Sequence, residues 1–167
     1  MTNTVYLSLG SSQGDRIHYL QMAVEKIRHS AGNIISVSPV YETEPWGFSM
    51  EGRFLNMAIA IQTEMSPRNL LQNLLETERL MGRERNKKKE GYSSRIIDID
   101  ILFYNNLVIN EAELNIPHPM THLRNFVLTP LNDIAPELVH PVLKMTISEL
   151  KKFSKDVCRV SLYNPIS

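Results

Sequence analysis

Two aspartates separated by one residue stand in a segment rich in isoleucine and aromatic residues. The segment ends at an Asn-Asn turn signal, which predicts one strand over residues 96–104. Side chains at i and i+2 share a strand face, so Asp98 and Asp100 are expected to point the same way. Neighbouring carboxylates oppose each other's ionisation, and a divalent cation such as magnesium relieves this; the alternative is an exposed face with two solvated acids. The opposite face is expected to carry Ile97, Ile99, Ile101 and Phe103.

A basic run precedes the aspartate strand. Residues 83–95 lack apolar periodicity and contain six cationic side chains, namely Arg83, Arg85, Lys87, Lys88, Lys89 and Arg95. Such a run is ordinarily a solvated loop, and that interpretation stays open. The run leads directly into the strand that carries Asp98 and Asp100, whose carboxylates are of the kind that bind metal ions. This favours a phosphate-binding role for the run, because arginine binds phosphate oxygens and neutralises charge during phosphoryl transfer. Together the two features predict polyphosphate binding.

Three further polar residues are candidates for binding. Asn56 carries an amide side chain in an otherwise apolar strand pattern. It is either a polar core residue whose hydrogen bonds are made within the protein, or it hydrogen-bonds a flat heterocycle. His118, held between two prolines, and Arg124 either extend the cationic lining or lie in a surface loop. Zinc is not expected, since no cysteine is near and Pro119 disrupts a helical pairing of His118 with His122. The other histidines are interpreted as packing residues, namely His18, His29 and His140.

The elements that must position these residues follow from periodicity and turn signals. Strands are predicted at 5–9, 33–44, 54–63 and 96–104. Helices are predicted from residue 17 to a stop at Gly32, from a Ser66 cap to Gly82, and at about 147–153, with irregular chain after residue 106. This order predicts an α+β, ferredoxin-like antiparallel sheet with helices on one side and a C-terminal extension. In the third strand one face is expected to carry Phe54, Asn56, Ala58 and Ala60.

Composition limits the function classes. The chain has 167 residues, which favours a single domain over 1–167, and its 18 basic and 18 acidic residues give no net charge that would favour nucleic acid. The single cysteine, Cys158, excludes an internal disulfide and is expected to be packed rather than reactive. The N-terminus shows no leader pattern and no apolar run reaches membrane-spanning length. We therefore expect a cytoplasmic protein without nucleic-acid or membrane partners. A monomer is our separate expectation, which composition does not decide.

Several separated motifs occur in a specific order between Tyr6 and about Pro141. They are Leu9-Gly10-Ser11 with Gly14-Asp15, Ser38-Pro39-Val40-Tyr41-Glu42-Thr43 with Pro45 and Gly47, Phe54-Leu55-Asn56, Glu78 with Gly82-Arg83-x-Arg85, Arg95-x-x-Asp98-x-Asp100, and Pro117-His118-Pro119 with Arg124-x-Phe126. Together these motifs closely resemble those of the 6-hydroxymethyl-7,8-dihydropterin pyrophosphokinase family. Two departures stand out. The chain has Tyr92-Ser93-Ser94 where the family usually has Trp-Gly-Pro, and Ser12 where asparagine is common.

The resemblance implies a reaction and a set of site residues. ATP would donate its β,γ-pyrophosphoryl group to the hydroxymethyl oxygen of 6-hydroxymethyl-7,8-dihydropterin and release AMP, with two Mg²⁺ ions bound by Asp98 and Asp100. The implied catalytic residues are Arg83, Arg85, Arg95, Asp98 and Asp100. The implied pterin-binding residues are Thr43, Trp46, Phe54, Asn56, Asp98 and Phe126. The implied ATP-binding residues are Glu78, Arg83, Arg85, Tyr92, Arg95, Ile101, His118 and Arg124.

Two alternative functions belong to other classes. A palm-like nucleotidyltransferase also sets paired aspartates on a ferredoxin-like sheet, but it attacks the α-phosphorus and needs a primer- or tRNA-binding surface that this chain does not offer. A non-catalytic nucleotide sensor of the same fold has no need of paired aspartates beside several cations. From the residues alone, the chemistry is a magnesium-dependent transfer from a nucleoside triphosphate to a flat, polar heterocycle.

Overall fold

The computed structural model describes residues 2–43, 53–82 and 96–164. Within these ranges no helix is both long and apolar enough to cross a bilayer. The strands are β1 (Asn3–Ser11), β2 (Asn33–Val37), β3 (Tyr41–Thr43), β4 (Phe54–Thr63), β5 (Asp98–Tyr104), β6 (Ile109–Asn110), β7 (Asn115–Ile116) and β8 (Val160–Leu162). The helices are α1 (Arg16–Ser30), α2 (Pro67–Leu80), α3 (Asn125–Ile134) and α4 (Ile147–Lys152), with a 3-10 turn at Thr121–Leu123.

The main sheet has six strands in the order β5-β1-β4-β3-β8, with β2 pairing beside β3 on the same strand β4. Every pairing in it is antiparallel. The first helix follows β1 and the second follows β4, which agrees with the strand-helix-strand-strand-helix-strand order predicted from the sequence. The α+β, ferredoxin-like class is therefore confirmed.

The sheet separates two apolar cores. One core joins α1 and α2 to the face that carries Leu7, Ile59 and Ile99, all buried. The other core joins α3 and α4 to Ala58 and Leu102 on the opposite face. The ferredoxin-like part thus has its two helices on one side, and the C-terminal extension adds a second helical layer on the other.

A β-bulge divides β5. Tyr6 of β1 lies opposite Phe103, but its neighbour Leu7 lies opposite Ile101, so Leu102 is an extra residue in the ladder. An extra residue reverses the alternation of the strand beyond it. Phe103 consequently packs with Leu102 in the α3 core. The prediction that Phe103 faces the same way as the isoleucines of this strand is therefore wrong.

The predicted strand over residues 33–44 is two strands, β2 and β3, and residue 44 lies outside the described ranges. The break falls at Ser38-Pro39, where proline has no N–H for a sheet ladder. Ser38 maintains the pairing with β4 at this point, since its backbone N–H donates to Ala58 O at 2.9 Å and its Oγ accepts from the backbone N–H of Ala58 at 2.9 Å. The two strands therefore both pair with β4 while the chain changes direction between them.

Helix α3 was not expected from the sequence, which predicted irregular chain in this region. Pro130 lies inside the helix, and an internal proline removes one backbone N–H and ordinarily argues against a helix. The buried side chains of Val127, Leu128 and Leu131 pack against the sheet and offset that cost. Tertiary packing, rather than local propensity, accounts for this helix.

His140 is buried as predicted, whereas His18 and His29 are exposed, so their assignment as packing residues was wrong. The Nδ1 atom of His140 accepts hydrogen bonds from Val142 N at 3.2 Å and Leu143 N at 3.0 Å. Burial, with a smaller contribution from His122, lowers the pKa of His140. The ring is therefore held neutral, with its proton on Nε2.

Acidification is expected to destabilise the fold through His140. The unfolded chain binds the proton first as pH falls, so stability is lost progressively below about pH 6.5, the ordinary histidine pKa. Urea unfolding at about pH 7.5 and about pH 5.5 should give a larger drop for the wild type than for His140→Gln. The pKa of His118 is also lowered and contributes in both proteins. His29→Gln is the matched control, and an unchanged drop in His140→Gln would contradict the prediction.

Candidate active site

Rows of side chains across three strands form the floor of a cleft. Gly10 of β1 lies opposite Asn56 of β4 on one side and opposite Asp98 of β5 on the other. In the next row Ser8 lies between Ala58 and Asp100 by the same pairings. The predicted alternation is confirmed for Asp98, Asp100 and Asn56, which line one cleft.

Gly10 determines how closely Asn56 approaches the middle strand. A Cβ atom at Gly10 would lie 2.8 Å from Asn56 Oδ1, closer than real Cβ contacts. The absence of a side chain therefore lets the carboxamide rest over β1 and leaves the space between Asn56 and Asp98 open.

The walls of the cleft come from outside these rows. Phe54 at the start of β4 and Phe126 at the start of α3 both line it, as does Arg124. The Arg124 guanidinium lies 5.5 Å from the centroid of the Phe126 ring. Helix α3 thus covers the cleft with its N-terminal end, and the structure brings together two aromatic rings, an amide, two carboxylates and a cation.

Several polar atoms near the cleft are buried without a hydrogen bond to any described residue. They include Asn56 Nδ2 and Ser11 Oγ, which line the cleft, and Thr43 Oγ1, on the residue paired with Phe54. Buried polar groups in proteins are nearly always hydrogen-bonded, to protein or to ordered water, so the two atoms that line the cleft are candidate contacts for a ligand. The amide Nδ2 is a donor and selects an acceptor on that ligand.

The two aspartates suit magnesium better than zinc. Within the described ranges no group of three or more histidine, cysteine or acidic side chains is placed to hold a metal. Two half-buried carboxylates on one strand face are the donor set of Asp98 and Asp100. Magnesium is bound by one or two carboxylates and completes its shell with water and phosphate oxygens, so this donor set fits it.

His118 is tied to β5 and is neutral. The backbone N–H of His118 donates to Leu102 O at 3.0 Å, and the ring Nδ1 accepts from the backbone N–H of Met120 at 3.2 Å. Burial first, and then the Arg124 guanidinium, lower the pKa of His118, while Asp98 opposes them. The ring therefore carries its proton on Nε2, which acts as a hydrogen-bond donor.

A second cleft opens at the outer edge of β5. Its apolar wall is formed by leucines of α2 and isoleucines of β5, and Asp100 and His118 line it as well as the first cleft. The two clefts therefore meet at these two side chains. The apolar wall includes Leu71, Leu74, Leu75, Ile99, Ile101 and Leu114, and Glu113 and Asn115 also line the cleft.

Glu78 lies beneath the aspartates rather than inside either cleft. It is only 2% exposed, and its Oε2 accepts from the N–H of Ile99 at 2.8 Å. Ile99 lies between Asp98 and Asp100 on β5, which is an edge strand among the described residues, so the Glu78 carboxylate satisfies an N–H that no described strand pairs with. Its predicted contact with ATP stays a prediction.

The sequence alone missed several lining residues. Ser8 and Ser11 lie on β1, and Val127 on α3. Ser8 shares a strand face with Gly10, and that spacing was the signal that went unused. The helix that carries Val127 was not predicted, although Val127 directly follows the family motif Arg124-x-Phe126. Of the predicted site residues, those outside the described ranges are Trp46, Arg83, Arg85, Tyr92 and Arg95.

Comparison with known proteins decides the family. The family model described as 7,8-dihydro-6-hydroxymethylpterin-pyrophosphokinase matches residues 6–136. The chain belongs to this family. It is 40% identical over 148 residues to the 2-amino-4-hydroxy-6-hydroxymethyldihydropteridine pyrophosphokinase of Aquifex aeolicus, covering 89% of this chain and 90% of that one. The protein of the same name from Bacillus subtilis is 39% identical over 139 residues, covering 83% and 81%.

A solved structure shows the same fold. The wild-type HPPK-DHPS of Plasmodium falciparum superposes with a TM-score of 0.75 at 21% sequence identity over 91% of this chain. The chain spans 44% of the length of that protein. The sequence comparisons show the pyrophosphokinase family, whose enzyme class is that of diphosphotransferases, and the structure comparison shows the fold.

Removing the Glu78 carboxylate is expected to destabilise this pyrophosphokinase. Glu78→Ala leaves the buried Ile99 N–H unpaired, at a cost of about 2 kcal/mol in the free energy of unfolding, whereas Glu78→Gln keeps an acceptor and costs less. Urea unfolding measures both. Glu76→Ala is the matched control on the same helix, since Glu76 is exposed and forms a surface ion pair with Arg79. Equal losses in Glu76→Ala and Glu78→Ala would refute the assignment.

The contact between Tyr41 and Asp133 ties α3 to the sheet. The Tyr41 hydroxyl donates to Asp133 Oδ2, and burial, together with Asp133, raises the pKa of Tyr41 to about 12. Tyr41→Phe is expected to lower the free energy of unfolding by about 1 kcal/mol. Tyr19→Phe serves as the control because Tyr19 lies on α1, against the opposite core. A loss no larger than in the control would show that the contact contributes nothing.

Proposed function

We propose that the chain transfers the β,γ-pyrophosphoryl group of ATP to the hydroxymethyl oxygen of 6-hydroxymethyl-7,8-dihydropterin, releasing AMP. The observation that carries the proposal is the joining of two clefts at Asp100 and His118. One cleft has the features of a heterocycle site and the other an apolar wall. A transfer between two substrates needs such a junction, because the reacting atoms must be held within contact distance of each other.

The inner cleft suits the pterin. Phe54 and Phe126 offer aromatic faces for a flat ring, and offset stacking on such faces is favourable. The Asn56 Nδ2 donor and the Ser11 hydroxyl lack partners among the described residues, and they would pair with the ring's polar edge. Because Asp98 is in the same row as Asn56, a ring bound to the amide extends toward the carboxylates.

Asp98 and Asp100 would hold two magnesium ions. When bound, magnesium neutralises the charge of the triphosphate and orients its oxygens. His118 Nε2–H and the Arg124 guanidinium would bind phosphate oxygens on the same side, since both line the inner cleft with the aspartates. We propose that the outer cleft takes the nucleoside, with the base against Leu71 and Ile101.

The transfer forms one bond and breaks one. The hydroxymethyl oxygen bonds to the β-phosphorus, and the bond from that phosphorus to the α,β-bridging oxygen breaks, so AMP leaves with the electron pair and the hydroxyl proton is lost. The protein supplies positioning and charge neutralisation rather than a covalent intermediate. The cationic residues of 83–95, with Trp46 and Tyr92, are proposed to complete the triphosphate and pterin contacts. A monomeric, cytoplasmic enzyme is the setting we propose.

Product identification tests the proposed reaction directly. The protein is incubated with Mg²⁺, ATP and 6-hydroxymethyl-7,8-dihydropterin, with a parallel sample lacking the pterin, and the nucleotide products are separated. AMP that appears only with the pterin supports the proposal. ADP would indicate an ordinary kinase, and pyrophosphate with a nucleotidylated acceptor would indicate a nucleotidyltransferase.

Asp100→Asn is expected to lower turnover by about a hundredfold or more, because it removes half of the negative charge that holds the metal while preserving shape. AMP formation is measured over a series of magnesium concentrations. Glu137→Gln, an exposed residue after α3, is the matched control and should retain wild-type turnover. Near-normal turnover in Asp100→Asn at every magnesium concentration would remove the two-metal proposal.

A further inference from the structure

Helix α3 begins without a cap of its own. Arg124 occupies the N-cap position with extended backbone, and its side chain makes no capping hydrogen bond. Helices normally have serine, threonine, aspartate or asparagine there, because the first N–H groups have no partner within the helix. This N-terminus also carries Arg124 and Phe126 into the inner cleft.

A residue from the C-terminal segment replaces the missing cap. Asp156 Oδ2 accepts from the backbone N–H of Asn125 at 2.7 Å, and the carbonyl of Asp156 accepts from Asn125 Nδ2 at 3.0 Å. The other carboxylate oxygen, Oδ1, accepts from Cys158 N at 3.0 Å. A carboxylate at this end of a helix is further stabilised by the helix dipole.

The segment that supplies Asp156 is itself anchored to the sheet. Strand β8 pairs with β3, placing Leu162 opposite Tyr41, and Tyr163 N donates to Val40 O at 2.9 Å. Strand β3 in turn pairs with the part of β4 that carries Phe54 and Asn56. One end of the segment therefore adjoins the strand that forms the cleft floor, while Asp156 contacts the helix that covers the cleft.

We propose that Asp156 is a positioning residue for the pterin site. By capping α3 across 31 residues of sequence, it fixes the helix start, and thereby the Phe126 ring that faces the pterin. This inference rests on the proposed function. It assigns a role in substrate binding to residues 154–163, which lie beyond the family match at 6–136.

The test compares two helix caps in the same part of the chain. Asp156→Ala removes the α3 cap, and Glu149→Ala removes the capping box that Glu149 forms with Thr146 at α4. Pterin binding is measured by isothermal titration without ATP, at a temperature where circular dichroism shows each variant folded. Hydrogen exchange of residues 125–128 reports on the start of α3 independently of any ligand.

Asp156→Ala should weaken pterin binding about tenfold and accelerate exchange at 125–128, whereas Glu149→Ala should lower thermal stability but leave pterin affinity unchanged. Asp156→Asn keeps an acceptor oxygen, so a smaller loss is expected, and it replaces the alanine variant if that one does not fold. The positioning role would be overturned if Asp156→Ala and Glu149→Ala weakened pterin binding equally. It would also be overturned if Asp156→Ala accelerated exchange at residues 125–128 but left pterin affinity unchanged. Wild-type protein that binds no pterin and forms no AMP when Mg²⁺, ATP and the pterin are all present would instead refute the proposed function, and this inference with it.

Discussion

The antiparallel pairing of β1 with both β4 and β5 is the constraint on which the site depends. It sets Asn56, Gly10 and Asp98 in one row. A slip of one residue would turn the aspartates into the core under α1 and α2, because strand side chains alternate between faces. The fully buried Leu7 and Leu9 oppose such a slip, since each buried leucine contributes about 2 kcal/mol that exposure would forfeit.

One face of the sheet is covered by an apolar core, and the other face also carries the cleft. The face under α1 and α2 is apolar along its length, whereas the face under α3 is apolar only where Ala58, Leu102 and Phe103 meet that helix. At its open end the same face exposes small residues, an amide and carboxylates to the cleft. Among the described residues the Asn56 Nδ2 donor there has no hydrogen-bond partner, so a bound acceptor would offset the cost of its burial.

Local rules were sufficient where periodicity was regular. Alternation alone placed Asp98, Asp100 and Asn56 on one face, and the Ser66 cap followed by proline located the start of α2. They failed wherever one residue changed the period. The extra Leu102 reversed the orientation of Phe103, and such a bulge leaves no signal in composition because both residues are apolar.

Tertiary packing explains the other failures. Helix α3 forms in spite of Pro130 because its apolar side chains are covered by the sheet and by α4. Its cap comes from Asp156, far along the chain, so no local window includes the signal. The omission of Ser8 has a different cause, since its spacing from Gly10 on the same strand face was a local signal that went unused.

The edge position of β5 explains how two substrates can meet. A central strand such as β1 has neighbours on both sides, so its residues can contact ligands only from one face. Within the described residues strand β5 has a sheet partner on one side alone, and its backbone on the outer side is contacted by the Glu78 carboxylate and the backbone N–H of His118. Asp100 can therefore contact a cleft over the sheet and another beyond its edge. Placing the acidic pair on an interior strand would keep the cleft over the sheet but remove the contact of Asp100 with the cleft beyond its edge.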